Sequence, residues 1–469
     1  MAKSGGARSA VLLGLLLGIF LAAIDATVVS VAMPRVVSSL GGVSIYSWVF
    51  TAYILASTIS GPLWGRISDI YGRRVIYMAG VALFILGSAL CGVAADMTQL
   101  VVFRALQGVG AGSLLVLTFT LIGELYRLEE RARITGYTTS VWAIASIIGP
   151  PLGGFLVDSL DWRWIFFINI PFGLASISIA WQNLTRGRGE VKGLDVVGTI
   201  LFAVASTTLL IYINEYNSLG MLGGLMLPLS LAIFPAFIYV ERRASNPLIP
   251  LNLFKDKVLR GGYIGNLTAG FIFFGSIAYL PLYLQWAMNL TATTSGLALL
   301  PTTFGWLISA NLAARLVVST SPKPLAISSG LALIIGTAAI AVAADNLLLL
   351  LTALGLLGVG MGFTVSTFLI TTQTVVERRV LGVATSLLSF LRTFGGAVAA
   401  AVMWIPLSGV MGSINSSPSP SPTPTLTTEQ IAAFKSAISL SFIIALAVAV
   451  SALAIYLYLP SIKLRGRQP

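Results

Sequence analysis

Three residues could do chemistry where charge is costly to place: Asp25, Arg104 and Arg392 each fall inside a long apolar run. Asp25, in IFLAAIDATVVSVAMP, is the one acid of 16 that lies deep in such a run; the rest stand at run ends or between runs. A lone charge in hydrocarbon costs several kcal/mol, so it should face a polar cavity and take a partner. At 1.5 Å per helical residue, Asp25 stands ~21 Å from the start of its run near Val11. Arg104, in a run of opposite direction, falls ~20 Å above the same face of a ~30 Å core. The two charges share a level. The proton affinity of such a carboxylate depends on its burial and on the nearness of the cation. A conformational change that loosens the pair therefore changes proton binding, which is what a proton-coupled carrier needs. A static ion pair fixing helix packing is the plainer alternative, but acids inside spans are functional by default. Arg392 lies ~18 Å into its own run, with no acid at that level in the second half of the chain. It pairs across to Asp25, attracts an anionic substrate group, or is held by carbonyls.

The elements that must position these residues are membrane spans. The chain has 469 residues, 57% hydrophobic and only 9% charged, against about 25% charge in soluble domains. Runs long enough to span, about 20 apolar residues each, recur from end to end. Hydropathy and breakers place fourteen of them, near 11–33, 45–66, 74–95, 98–123, 134–157, 163–182, 195–213, 219–240, 261–288, 295–318, 324–344, 347–375, 380–410 and 432–459. The first run continues well past a signal-peptide core and carries Asp25, so it reads as an uncleaved span. One cysteine, Cys91, excludes an internal disulfide. The absence of histidine removes the usual zinc and haem ligands and the commonest catalytic base. No metal or cofactor is expected, only a proton gradient.

The net charge of +12 is spread between the apolar runs, which speaks for topology and against nucleic acid. Of 28 basic residues, 23 fall on the side of the two termini, three (Arg35, Arg163, Lys435) on the other, and Arg104 and Arg392 within spans. By the positive-inside rule both termini are expected in the cytoplasm. RGRGEVKGLD (186–195) reads as a linker. SSPSPSPTPTLTT (416–428) reads as an extended external loop within 412–430. The expected domains are an N-terminal bundle at 1–185, a linker with two extra spans at 186–245 and a C-terminal bundle at 246–469.

Between the second and third spans stands GRISDIYGRR (65–74), a very short loop in which Gly72 permits a tight reversal. Gly65, Asp69, Gly72, Arg73 and Arg74 resemble the loop motif of the major facilitator superfamily. The resemblance implies that Asp69 latches the two helical halves on the cytoplasmic side, with a partner at the start of the span near Leu381. AIDATVVSVAMP (23–34) is similar to the first-span signature of the superfamily's fourteen-span drug:proton antiporters, with Asp25, Thr27 and Pro34 in register. RALQGVGAG (104–112) resembles their fourth-span motif, whose arginine is linked to proton transfer. ASIIGPPLGG (145–154) resembles the antiporter motif, through Gly149, Pro150, Gly153 and Gly154, with Ala145 in place of a usual glycine. WRWIFFINIPFG (162–173) resembles the entry of the sixth span. Such small residues let helices approach closely, and Pro150 frees a carbonyl. In the second half, ARLVVSTSPKP (314–324) carries Val318 where a repeated loop motif would have its aspartate.

The resemblance implies an all-α membrane protein of the major facilitator fold, with two six-helix bundles plus two extra spans and substrate bound near the midplane. The function implied is proton-coupled export of amphipathic, drug-like compounds by alternating access in the plasma membrane. The protein is expected to work as a monomer whose partners are substrate, protons and lipids. Alternatives are a lipid or glycolipid exporter on the same scaffold and a metabolite symporter. Lack of a further acid in the later spans speaks against divalent cations as cargo. Polar or aromatic residues within spans that could line a substrate cavity are Gln107, Trp142, Asn266, Gln285, Trp306, Asn311, Gln373 and Arg392.

Overall fold

The computed structural model describes residues 5–126, 128–184, 196–215, 220–244, 247, 249–343, 346–377, 380–411 and 426–461. The linker expected at 186–195 and most of the Ser/Pro tract, 416–425, lie outside these. Among the described residues there is no strand. The α-helices are α1 (Gly5–Leu40), α2 (Tyr46–Tyr71), α3 (Arg73–Gly92), α4 (Met97–Leu125), α5 (Leu128–Ser159), α6 (Trp164–Phe167), α7 (Asn169–Asn183), α8 (Val196–Glu215) and α9 (Gly220–Arg243). They continue with α10 (Lys257–Trp286), α11 (Ala292–Ala298), α12 (Leu300–Ser319), α13 (Pro322–Ala343), α14 (Leu347–Val375), α15 (Leu381–Val402), α16 (Trp404–Met411) and α17 (Thr428–Leu457). Helices α6 and α7, α11 and α12, and α15 and α16 each run together, leaving 14 elements long and apolar enough to cross a membrane.

Local sequence sets the ends. The Asp96 carboxylate accepts from Gln99 N at 2.8 Å and starts α4. Asp256 caps α10 through Val258 N and Leu259 N. Thr427 and Gln430 form a reciprocal capping box on α17. Between α2 and α3 a single residue, Gly72, turns the chain at φ 93°, a conformation open to glycine and strained for residues with a Cβ.

The described residues fall into two compact units, one built from those up to Thr207 together with Thr291–Gly296, the other from the remainder. Each has the same partner scheme. In the first unit α1 packs on α5, α4 on α2 and α3, and α7 on α1 and α3. In the second, α10 packs on α15, α14 on α12 and α13, and α17 on α10 and α13.

Glycine seams make the repeat visible residue by residue. In α4, Gly108 and Gly112 meet the α2 backbone at Tyr53 and Ser57, and Gly110 meets the α3 backbone at Phe84. In α14, Gly358 and Gly362 meet α12 at Thr302 and Trp306, and Gly360 meets α13 at Leu333 and Ser329. A Cβ at any of these would strike its neighbour, which is why GVGAG and GVGMG recur at the same crossings. In this alignment Leu354 and Leu357, both buried, take the places of Arg104 and Gln107.

Candidate proton-coupling site

Within the first unit, α4 and α7 reach Asp25 of α1 directly, and α3 reaches it through Asn169. Its carboxylate is 1% exposed, and Oδ2 accepts from Arg104 Nη1 of α4 at 2.6 Å. Gln107, one turn on from Arg104, donates Nε2 to Asp25 Oδ1 at 2.8 Å and accepts from Arg104 Nη1 at 2.6 Å. Residues three apart on a helix share a face, so α4 presents both groups to one carboxylate. From α7, Asn169 donates Nδ2 to Asp25 Oδ1 at 3.4 Å and to Ser88 Oγ of α3 at 3.0 Å. Ser88 in turn donates to the Phe166 carbonyl at 2.8 Å.

The guanidinium is enclosed as tightly as the acid. Arg104 is 1% exposed. It donates Nε to the Val49 carbonyl of α2 at 3.3 Å and lies 4.0 Å from the Tyr53 ring centroid. Cys91 of α3 donates Sγ to Gln107 Oε1 at 3.8 Å. Within this cluster one buried atom, Asn169 Oδ1, has no hydrogen-bond partner. The two charges thus compensate each other, and the amides satisfy the lone pairs that the ion pair leaves over. Breaking such a buried pair by removing one partner costs about 3–5 kcal/mol.

The antiporter motif fixes α1 behind this carboxylate. Gly149 faces the Thr27 hydroxyl and Gly153 the Val28 backbone, so α5 rides directly on the turn after Asp25. Thr27 Oγ1 donates to the Ile24 carbonyl at 3.0 Å and reaches the Ala145 carbonyl at 3.5 Å. Pro150 and Pro151 lie within the unbroken helix α5. Gly154 meets the backbone of Ala292 and Thr293. There Asp158 Oδ2 accepts from Thr293 N at 2.8 Å and from Thr293 Oγ1 at 2.6 Å.

At the α2–α3 turn, Arg73 bridges Asp69 at 3.2 Å and Glu124 of α4 at 2.7 Å. Arg74 donates to the Trp181 carbonyl at 2.6 Å and stacks 4.9 Å from the Trp181 ring centroid. The turn therefore ties α2, α3, α4 and α7 together. Gly65 packs at ordinary contact distance from Val116.

The residues expected to line a substrate cavity divide. Gln107 belongs to the Asp25 cluster. Asn266, though buried, spends its amide on Gly262 O of its own helix at 3.0 Å. Asn311 and Gln373 are exposed, and Asn311 donates to Leu307 O at 2.8 Å. Gln285 is buried, Trp142 half-buried, and Trp306 makes an edge contact with Phe273 at 5.2 Å. Arg392 is half-buried. Sequence reasoning did not single out Asn169, Tyr53, Ser88 or Glu124. Asn169 stood in a quoted motif, and a polar residue in so apolar a stretch was its signal.

Comparison with known proteins decides the lineage. The profile of the Major Facilitator Superfamily matches residues 15–400. The chain belongs to this superfamily. It is 31% identical over 427 residues to the multidrug transporter protein MdtP of Bacillus subtilis (strain 168), covering 88% of this chain and 78% of that one. To multidrug resistance protein 3 of the same organism it is 32% identical over 401 residues, covering 84% and 78%. Among solved structures, a D-xylose–proton symporter superposes with a TM-score of 0.69 at 15% identity, covering 97% of this chain and 99% of that one. A bacterial homolog of the human lysosomal transporter Spinster gives a TM-score of 0.68 at 16% identity, covering 97% of each. These two share the fold. The chain is thus a multi-pass membrane transporter, similar to proteins named for multidrug transport and multidrug resistance.

Proposed function

We propose that this transporter is a proton antiporter that exports amphipathic, drug-like compounds by alternating access, residing in the plasma membrane with both termini in the cytoplasm. The observation that carries the reading is the Asp25 carboxylate, buried in a span and held by Arg104, Gln107 and Asn169. The printed names of its relatives, multidrug transporter and multidrug resistance protein, support the substrate class. The asymmetry of basic residues supports the orientation. No cofactor beyond the proton gradient is part of the proposal.

A proton reaching Asp25 from outside cancels the charge that Arg104 compensates and loosens the α1–α4 contact. Asn169 is placed to follow: a half-turn of its amide brings the unpartnered Oδ1 to the carboxyl O–H and turns Nδ2 away. Loss of the ion pair favours the inward-open state, and substrate entering from the cytoplasm or inner leaflet promotes deprotonation and outward opening. The glycine contacts of α5 on Thr27 and Val28 carry any movement of α1 into α5. The protein acts as a monomer in contact with lipid, substrate and protons. Reconstitution into proteoliposomes with an imposed pH gradient tests the proposal. Wild type moves substrate against its gradient, and Asp25→Asn does not. A variant that remains fully driven by the pH gradient removes Asp25 from the mechanism.

A further inference from the structure

Arg392 is the second guanidinium within a span, and its surroundings are opposite to those of Arg104. Among the described residues it has no hydrogen-bond, ion-pair or ring partner, and it is partly exposed. No described acid of the second unit forms an ion pair with it: those within its spans are Glu241, near the end of α9 and bonded to Ile249 N, and Glu429, in the first turn of α17. Asp25 is already saturated by Arg104, Gln107 and Asn169.

The helix around Arg392 is built to hold that charge in place. Gly270 of α10 abuts the Arg392 backbone, and Gly395 and Gly396 seat α15 against Leu267, Phe271 and Phe274. At 100° per residue, Thr385, Ser386, Ser389, Arg392 and Thr393 occupy positions i, i+1, i+4, i+7 and i+8, a single face. All five are partly or fully exposed. Three of the hydroxyls bond back to their own helix: Thr385 to Leu381 O at 2.8 Å, Ser386 to Val383 O at 3.0 Å and Thr393 to Ser389 O at 2.9 Å. To donate to a ligand, each must turn its one O–H away from that carbonyl or share it, and none supplies charge. A partly exposed hydroxyl face with one uncompensated cation at span depth is a poor surface for lipid tails and a good one for an anion.

We propose that this face of α15 recognises the anionic group of the substrate, and that the cargo is a lipophilic small molecule carrying one carboxylate, held to Arg392 by a charge-assisted hydrogen bond. This inference rests on the exporter reading and narrows it. Its test uses three probes with one apolar body, pyrene-butyrate, its methyl ester and pyrene-butylammonium, with binding and transport measured separately. Wild type binds the carboxylate in preference to the ester and the ammonium. Arg392→Gln weakens carboxylate binding roughly tenfold or more, as expected for a charge-assisted bond, and leaves ester binding within about twofold. Arg392→Lys retains part of the preference. A wild type that binds none of the three, or all alike, overturns the proposal, as does an Arg392→Gln protein that keeps the preference. Intact binding selectivity without movement driven by the pH gradient would overturn the antiporter reading instead and leave the anion site standing.

Discussion

Asp25→Asn is nearly isosteric, so its effect isolates charge. The substitution leaves Arg104 at 1% exposure with no carboxylate in contact. Uncompensated buried charges cost about 3–5 kcal/mol. The remaining partners of Arg104, Gln107 Oε1 at 2.6 Å, the Val49 carbonyl at 3.3 Å and the Tyr53 ring at 4.0 Å, put the cost at the lower end. About 3 kcal/mol corresponds to a fall in Tm of roughly 6–12 °C for a unit of this size. The chain carries its own reporter: Cys91 is the only cysteine, is fully buried and touches Gln107 within the cluster. A dye that fluoresces on reaction with a thiol therefore reads the opening of this site on heating. The double variant Asp25→Asn/Arg104→Met removes both charges and should recover most of the lost Tm while transport stays absent. Stability and coupling then separate, because the charge pair matters to folding only when one half is missing. An Asp25→Asn protein that melts within about one degree of wild type and still follows the pH gradient refutes both the compensation argument and the coupling role.

Gln107→Leu removes a donor at 2.8 Å from Asp25 and an acceptor at 2.6 Å from Arg104, so transport in the proteoliposome assay should fall at least tenfold, with a stability loss of about 1–3 kcal/mol in the melt. Gly149→Ala places a methyl against the Thr27 hydroxyl and should cost about 1–3 kcal/mol and most of the transport rate. Thr27→Ala in the same chain removes the colliding oxygen and should restore both, whereas Gly123→Ala, with nothing within 4 Å of the added methyl, should change neither. With potassium and valinomycin setting the membrane potential, an inside-negative potential should accelerate export of pyrene-butyrate and leave export of pyrene-butylammonium unchanged.

Number of spans, breakers and motif positions were legible because each depends on local composition. Hydropathy located the spans to within a few residues at most ends, since a run of apolar residues needs no knowledge of its neighbours. The breaks at Ile168, Leu299 and Met403 were not foreseen, because each lies within one apolar run. Depth along a helix could be counted, and Asp25 and Arg104 proved to be in contact. Direction around the helix axis could not be counted across different helices. Gln107 was consequently grouped with the substrate cavity, although its spacing of three from Arg104 already placed both on one face. The arrival of Asn169 beside Asp25 depends on how α7 lies against α1 and α3, which no spacing within one segment encodes. Likewise the GVGAG and GVGMG strings were readable, but their equivalence needed the helix crossings that both serve.

The dependence on membrane potential follows from how the two units divide polar work on one scaffold. Where α4 carries Arg104 and Gln107, the matching turn of α14 carries Leu354 and Leu357, so the second unit has no counterpart of the coupling cluster. Every other acid in the described spans lies within a turn of a helix end, leaving Asp25 as the single protonatable carboxylate at depth. On the proposed antiport mechanism, one such group carries one proton inward per cycle. A carboxylate moving outward adds a second unit of positive charge moving inward, so the exchange is driven by about 4.6 kcal/mol per 100 mV, twice the value for one charge. An ammonium moving outward cancels the proton, and its exchange feels the pH difference alone. Acceleration of ammonium export by an inside-negative potential would require more than one proton per cycle, and hence a titrating group other than Asp25.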